Sequence, residues 1–241
     1  MVAILGSPAG LAGAAQPASS PSRTAPPPAI PTVLQNIEAT YRAPEFEMWF
    51  TRTYLVKAYN LPSTSQGTLT FAGPDKASWR QPNGDYLVIN GQTMGSYDAA
   101  TRSYVLQSAK TSAYLSALAF MAGPGALAAQ CNLTIYPGSQ LQYPNGYVLL
   151  CDPKVPSPAF TKLLYYVDAA SSEVRRVLIL DAQGNRDRFD LDQLQVHTVV
   201  SPQLFSLTPP PGVVVTGWPG NAPAAPTSSG ASPLTPKVPG P

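Results

Sequence analysis

The chain has 241 residues, a formal net charge of +2, one histidine, two cysteines and 28 prolines. With so small a net charge and no lysine or arginine cluster, the sequence has no electrostatic footprint for nucleic acid or an anionic membrane. The apolar stretch nearest to a bilayer span, residues 112–129, is interrupted by Gly123, Pro124 and Gly125.

The two ends of the chain differ in composition from its middle. Residues 1–31 and 217–241 are rich in Pro, Ala, Ser and Gly and carry almost no charge. Such segments cannot bury enough apolar surface to offset the entropy of ordering the chain. The composition therefore predicts a disordered leader at 1–31, one folded domain at 32–216 and a disordered Pro-rich tail at 217–241.

The first residues are similar to the rear part of a secretory signal. An apolar stretch, Met1 to Gly6, precedes the small-x-small sequence Ala12-Gly13-Ala14, after which cleavage is permitted, but the positively charged start is missing. Two interpretations of this segment fit the sequence, a truncated signal and a plain Ala-rich leader. The cysteines agree with export and favour the signal.

The first predicted element is an amphipathic helix. Val33, Ile37 and Tyr41 recur at helical spacing, Thr32 is a suitable N-cap, and the helix is expected to end near Ala43 and Pro44. Beyond it the apolar period changes to two, and turn residues separate short runs, including a predicted turn at Asn60–Thr64. The predicted strands are Phe46–Lys57, Ser65–Phe71, Lys76–Gln81, Asp85–Asn90, Gln92–Tyr97 and Ser103–Gln107.

The second half of the domain begins with a helical insertion. Thr111–Ala128 predicts two short helices around Gly123-Pro124-Gly125. The extended pattern then resumes in Gln130–Tyr136, Gly146–Cys151, Phe160–Asp168, Glu173–Asp181 and Arg186–Val196. The fold class is therefore mainly β (α+β): a curved antiparallel sheet of about eleven strands with about three short helices.

The two cysteines flank a predicted hairpin. If Tyr136 pairs with Gly146, then Cys131 lies opposite Cys151, at a separation that suits a disulfide. Two unrelated buried thiols are the alternative. A metal site is not expected, because two cysteines and a distant His197 lack ligand spacing.

The residues that catalysis requires are scarce in this sequence. His197, the single histidine, lies in an alternating strand pattern, and no nucleophile elbow, phosphate-binding loop or zinc-protease motif occurs. The acidic group Asp181, Asp187, Asp190 and Asp192 alternates with arginines, which is typical of a solvated strand face. We therefore expect neither an enzyme nor a cofactor.

The predicted sheet has one apolar face that needs cover. A sheet of about eleven strands curls, and three short helices are too few to fill its hollow, so the sequence predicts an apolar cavity under a helical lid. The residues expected to line it are Phe50, Leu69, Phe71, Trp79, Leu87, Ile89, Val177 and Ile179 on the sheet, with Leu118, Phe120 and Met121 on the lid.

An ordered series of motifs resembles the LolA family of periplasmic lipoprotein carriers, from about Thr32 to Val215. The matching pieces are Phe50-Thr51-Arg52, Gly67-Thr68-Leu69-Thr70-Phe71 with Gly73-Pro74 and Trp79, Val88–Thr93 with Tyr97-Asp98, Cys151–Lys154 and Phe205–Val213. The resemblance implies an open half-barrel with a helical lid. It also implies a periplasmic monomer that moves acylated lipoproteins from an inner-membrane ABC transporter to the outer membrane, where a receptor is a further candidate partner.

Two positions depart from the family pattern. Gly73 stands where the family has an arginine that holds the lid, so lid closure must rest on other contacts, with Lys76 or apolar packing as candidates. Met94-Gly95 replaces a Leu-Trp pair, which would leave more room at one wall unless Gly95 marks a bulge or a close approach.

A second function is open on the sequence alone. The same fold could serve an envelope sensor or scaffold that binds a protein partner. The Pro-rich tail, in which Pro223–Pro226 has the bare Pro-x-x-Pro spacing, could take part in that binding, although a plain spacer explains the tail as well.

Overall fold

The structure is a computed structural model that describes residues 27–123, 125–197 and 199–217. The predicted signal, most of the predicted leader and all but Gly217 of the predicted tail lie outside the described residues. Ile30 and Pro31, assigned to the leader by composition, belong to the first helix.

Helix α1 spans Ile30–Thr40 and begins two residues before the predicted cap. Pro31 occupies the first turn, where a missing N–H costs nothing and a fixed φ favours the helix. Thr32 therefore lies inside the helix, and its prediction as N-cap was wrong. The helix buries Val33 and Ile37 against the sheet, as the predicted spacing requires.

Twelve strands, two further short α-helices and three 3₁₀-helices (Ala109–Thr111, Gly138–Leu141 and Pro202–Phe205) follow within the described residues. The strands are β1 (Glu45–Val56), β2 (Leu61–Ala72), β3 (Lys76–Arg80), β4 (Tyr86–Asn90), β5 (Thr93–Asp98), β6 (Ser103–Ser108), β7 (Cys131–Pro137), β8 (Gly146–Pro153), β9 (Lys162–Asp168), β10 (Val174–Leu180), β11 (Arg186–Val196) and β12 (Val214–Gly217). Helices α2 (Ala113–Ala117) and α3 (Ala126–Gln130) lie between β6 and β7. The predicted turn at Asn60–Thr64 was mostly wrong, because β2 already begins at Leu61.

All twelve strands form one open curved sheet, which confirms the predicted fold class. Its strand order is β12-β6-β5-β4-β3-β2-β1-β11-β10-β9-β8-β7. Two antiparallel meanders, β1 to β6 and β7 to β11, are joined where β1 pairs with β11. The twelfth strand, not predicted, pairs in parallel with β6.

The two faces of the sheet are covered by different parts of the chain. On β1, Phe46, Met48 and Phe50 are buried on the inner face under the helices, whereas Trp49 points outward and is 44% exposed. On the outer face, the segment 199–207 packs over β3 to β5 and buries Phe205 against Val88.

Gly95 marks a close approach on the outer face. A Cβ atom at Gly95 would lie 2.0 Å from the hydroxyl oxygen of Tyr104, whose hydroxyl donates to the Leu207 carbonyl at 2.9 Å. Its neighbour Met94 belongs to the inner core. The expectation of extra room at the cavity wall was therefore wrong, and the close-approach alternative explains the glycine.

Cys131 and Cys151 form a disulfide with a Cα–Cα distance of 5.0 Å. The predicted register was wrong by two residues, since Cys131 pairs with Pro153 and Cys151 with Leu133. The two cysteines are therefore diagonal neighbours rather than direct partners. Because a shift of two preserves the face of the sheet, both sulfur atoms still lie on the inner side and can bond.

Candidate functional site

The candidate site is the inner face of the sheet together with the lid, which we define as α1, α2, α3 and the turn 118–122. All eleven residues predicted to line a cavity are buried there in one apolar cluster: Phe50, Leu69, Phe71, Trp79, Leu87, Ile89, Leu118, Phe120, Met121, Val177 and Ile179. The structure therefore brings the sheet set and the lid set into contact.

At the eleven predicted residues, the described part of this interior is closely packed. Two voids of about 10 and 20 Å³ remain, each of the order of one or two water molecules. Both voids are bordered by the rings of Trp79, Tyr114 and Phe189. Aromatic rings occupy much of the space at these residues, whereas an opening of about 410 Å³ lies between the lid and the inner face of the sheet beside Ser116, Cys151 and Phe160.

Aromatic contacts tie the lid to the sheet. The Tyr41 ring lies 5.0 Å from Phe120 and 5.5 Å from Phe46, and Phe120 lies 5.7 Å from Tyr165. Such tilted and edge-to-face pairs stabilise packing beyond the area that they bury. Aromatic rings of the lid and of the sheet therefore pack against each other and hold the lid on the sheet.

A buried ion pair lies in the middle of the apolar face. Arg52 on β1 donates to both carboxylate oxygens of Asp187 on β11, at 2.7 and 2.8 Å. Arg52 also donates to the Tyr114 hydroxyl on α2 at 3.1 Å, and that hydroxyl lies 3.4 Å from the Asp187 carboxylate. We call these three residues the latch, because they connect the lid to the sheet by polar bonds.

The electrostatics of the latch keep its charges fixed. Burial alone would lower the pKa of Arg52, but Tyr114 and the Asp187 carboxylate raise it above its ordinary value, so the guanidinium stays charged. Burial raises the pKa of Tyr114, and its hydroxyl stays protonated at neutral pH. Because removing one member of a buried pair leaves an uncompensated charge, Arg52 and Asp187 depend on each other.

The lid makes further polar contacts with the sheet and within itself. The Tyr165 hydroxyl on β9 donates to the Ser116 carbonyl at 3.0 Å, and burial raises the pKa of Tyr165. The Tyr41 hydroxyl accepts from the Val174 N–H at 3.1 Å. Glu38 on α1 accepts from the Gly125 N–H at 2.6 Å, which ties α1 to the start of α3.

Sequence reasoning missed the latch, although a signal was present. Arg52 continues the inward series Phe46, Met48 and Phe50, and a charge at such a position predicts a buried partner. Asp187 begins the inward series of β11, so its assignment to a solvated face was wrong, whereas Asp192 is exposed as expected. Lys76 is exposed at the start of β3, and Arg52 instead provides the lid contact that Gly73 cannot.

The described residues offer no group of three or more His, Cys, Asp or Glu side chains placed to hold a metal ion. In the same residues, none of the helices has the length and apolar character needed to cross a membrane.

A curved open sheet that packs its apolar face under short helices is a fold of the binding or carrier class. The model of the family described as outer membrane lipoprotein carrier protein LolA matches residues 43–208. The chain therefore belongs to the LolA family.

Several solved structures are similar in fold. An uncharacterized conserved protein from Thermus thermophilus is 12% identical, with 78% of this chain and 98% of that chain covered and a TM-score of 0.47. A LolA superfamily protein from Nitrosomonas europaea is 9% identical, with 73% and 96% covered and a TM-score of 0.43. The MucA/MucB complex of Pseudomonas aeruginosa gives 14% identity, 73% and 59% coverage and a TM-score of 0.36. No curated protein sequence matches the chain significantly.

Proposed function

We propose that this protein is a periplasmic carrier that binds the acyl chains of lipoproteins on its inner face and moves them from the inner to the outer membrane. The observation that carries the proposal is the contiguous apolar cluster between sheet and lid in a LolA-family chain. Each buried CH₂ group is worth about 0.8 kcal/mol, so acyl chains do not cross an aqueous compartment unaided.

The close packing around Trp79, Tyr114 and Phe189 requires that the lid moves when cargo enters this part of the interior. Voids of about 10 and 20 Å³ are far smaller than the several hundred Å³ of an ordinary ligand pocket. Loading therefore separates Tyr114 from Arg52 and lifts α2 from the sheet. The inner-face residues listed above, Phe50 and Leu69 among them, then form the acyl-binding surface.

The partners follow from the same proposal. Cargo comes from an inner-membrane ABC transporter of the Lol type, and an outer-membrane receptor is a candidate acceptor. The chain carries no phosphate-binding loop, so the transporter supplies the free energy of loading, and tighter binding at the destination drives release.

The test combines cargo analysis with a matched pair of variants. Mass spectrometry of organic extracts should find acyl chains or lipoprotein on protein purified from the envelope, and a fluorescent fatty acid should bind the purified protein. Ile89 and Val88 are both fully buried on β4, but they face the inner and outer sides of the sheet respectively. Ile89→Thr should weaken probe binding about fivefold or more, because a buried hydroxyl then faces the acyl chain.

Val88→Thr is the control, since it places the same hydroxyl under Phe205 instead of in the interior. It should cost less stability than Ile89→Thr, which also removes one buried methylene group, and should leave probe affinity within about twofold of wild type. An empty, well-folded protein that does not bind the probe would refute the carrier proposal.

A second candidate, a sensor or scaffold that binds a protein partner, rests on one observation. In the described residues, β2 pairs with β3 only over Thr68–Ala72, so 61–67 has no strand on that side. Leu61 and Tyr59 at this end are 51% and 68% exposed. Such an edge can accept a strand from another protein, and an Arg substituted for Leu61 would then impair partner capture without changing probe binding.

A further inference from the structure

Strand β7 is an open edge of the sheet. Within the described residues it is last in the strand order and pairs on one side only, with β8. The opposite edge is β12, which has four residues, whereas β7 has seven and pairs with β8 without a bulge. Proteins usually blunt an edge with a short strand, a charge, a bulge or a proline, because unpaired N–H and C=O groups otherwise recruit another strand. In β7 a proline stands only at the end, at Pro137.

The hydrogen-bond register shows which groups of β7 are unpaired. In an antiparallel ladder, hydrogen-bonded pairs alternate with non-hydrogen-bonded pairs, whose N–H and C=O groups point away from the partner strand. The Lys154 N–H donates to the Gln130 carbonyl at 2.9 Å, so Gln130 and every second residue after it face β8. Leu133 and Ile135 therefore direct their backbone groups to the open edge. Within the described residues, no hydrogen bond reaches those groups.

The ladder between β8 and β9 agrees with this assignment. The Ala169 N–H donates to the Asn145 carbonyl at 3.0 Å, so Cys151, in the same phase on β8, directs its backbone groups to β9. Cys151 pairs with Leu133 across β7 and β8, and that pair is therefore a non-hydrogen-bonded one. The edge thus offers the N–H and C=O groups of Leu133 and Ile135 to another strand.

The chain that forms this edge carries no charge. Residues 111–151, which include α2, α3, β7 and most of β8, contain no Asp, Glu, Lys, Arg or His. Asn132 and Thr134 are the exposed side chains of β7. Charged residues are depleted at the centres of protein interfaces, and like charges directly opposite each other destabilise a strand pair. Two copies of this edge can therefore approach each other without electrostatic repulsion.

We propose that β7 pairs antiparallel with β7 of a second copy of the chain, so that one sheet continues across a twofold axis. When Thr134 lies opposite its own copy, Leu133 of each chain lies opposite Ile135 of the other, and each of these pairs exchanges both N–H···O=C bonds. The ladder then ends, because Pro137 has no N–H and the Cys131 N–H already donates to α3. This dimer differs from the monomer that the family resemblance implies, and it does not depend on the carrier function.

Charge variants at the twofold axis test the pairing. Sedimentation velocity of the full chain should show a reversible dimer with a dissociation constant roughly in the micromolar range, because one strand pair buries less area than a standard interface. Thr134→Lys and Thr134→Glu should each weaken dimerisation about fivefold or more, since each places like charges opposite each other. An equimolar mixture of the two variants should dimerise within about twofold of wild type or better, because opposite charges then face each other.

Thr64→Lys is the matched control, because Thr64 is also an exposed threonine at an open edge, that of β2. It should leave dimerisation unchanged. Loss of the dimer in Thr64→Lys but not in Thr134→Lys would overturn the assignment to β7. A wild type that stays monomeric well above micromolar concentration would overturn the dimer itself.

Introduced cysteines test the register. Under mild oxidation, Thr134→Cys should form an intermolecular disulfide, because directly opposed Cβ atoms lie about 5 Å apart. Tyr136→Cys should not, since in this register its thiol lies four residues along the strand from its own copy, about 13 Å away. Cross-linking of Tyr136→Cys without that of Thr134→Cys would overturn the register.

Hydrogen exchange of the Leu133 and Ile135 amides locates the contact. Both amides should exchange more slowly in the wild-type dimer than in monomeric Thr134→Lys. Fast exchange of both amides in the dimer would place the interface elsewhere and overturn the proposal. Equal protection in the monomer would overturn it in favour of another segment of the same chain.

Discussion

Arg52 places a positive charge in the middle of an apolar face, and its partners determine what that charge does. Asp187 on the neighbouring strand neutralises the charge. The Tyr114 hydroxyl on the lid accepts a hydrogen bond from a further N–H of the guanidinium group. The sheet pair can persist when the lid leaves, because both charged groups belong to the sheet. Tyr114 is therefore the member of the latch whose loss should affect opening most directly.

Tyr114→Phe should loosen the lid while keeping the ring that borders both voids. Loss of the hydrogen bond from Arg52 and of the long one to Asp187 should lower the free energy of unfolding by about 1–2 kcal/mol. Because opening then costs less, the apparent affinity of a fluorescent fatty acid for the interior should rise several-fold. Denaturant unfolding and probe titration measure the two effects.

Tyr97→Phe is the matched control for this variant, since Tyr97 lies on β5 beside Tyr86, away from the lid. It should change neither quantity appreciably. Unchanged or weaker probe binding by Tyr114→Phe would contradict the role of the latch.

At the scale of elements, the disulfide secures the hairpin of β7 and β8 where α3 ends. It closes a loop of 20 residues in the unfolded chain. The variant Cys131→Ala/Cys151→Ala should therefore lose about 2–4 kcal/mol of stability, chiefly because the unfolded chain gains freedom. Urea unfolding of the variant beside the wild type measures this loss.

Treatment of the wild type with a reductant should reproduce the loss without any change of sequence. Equal urea midpoints for the oxidised, reduced and variant protein would contradict this. They would show that the backbone hydrogen bonds between β7 and β8 restrain the hairpin without the disulfide.

Elements differ in how far the sequence predicts them. Strand β11 occupies its predicted bounds, Arg186–Val196, because strict alternation and a Gly-containing turn mark it locally. Strand β12 was missed, since four residues after a proline run pair in parallel with β6, more than a hundred residues earlier. The burial of the eight predicted sheet residues on one face follows from alternation alone. The packing of the lid against them and the latch could not be predicted, because spacing does not fix the distance between lid and sheet.

At the scale of the whole molecule, β1 joins the two meanders. It has 12 residues and pairs along its length with β2 on one side and β11 on the other. Strand β12, at one edge, has four residues. Stability should therefore be highest at the centre of the sheet and fall toward its edges.

Native-state hydrogen exchange should show this gradient. We expect the amides of Phe50 and Leu191 to exchange only on global unfolding, and those of Val215 and Thr216 to exchange through local opening. Uniform protection across β12 and β1 would contradict the gradient and indicate that the sheet opens as one unit.

The packing of side chains between lid and sheet has a thermodynamic consequence for the proposed function. Tyr114, Leu118 and Phe120 lie where an acyl chain would bind under that proposal, and they already shield the apolar face of the sheet from water. Binding would then exchange one set of apolar contacts for another, with little newly buried area on the protein. The heat-capacity change of binding should therefore reflect mainly the ligand, and the net affinity should be modest.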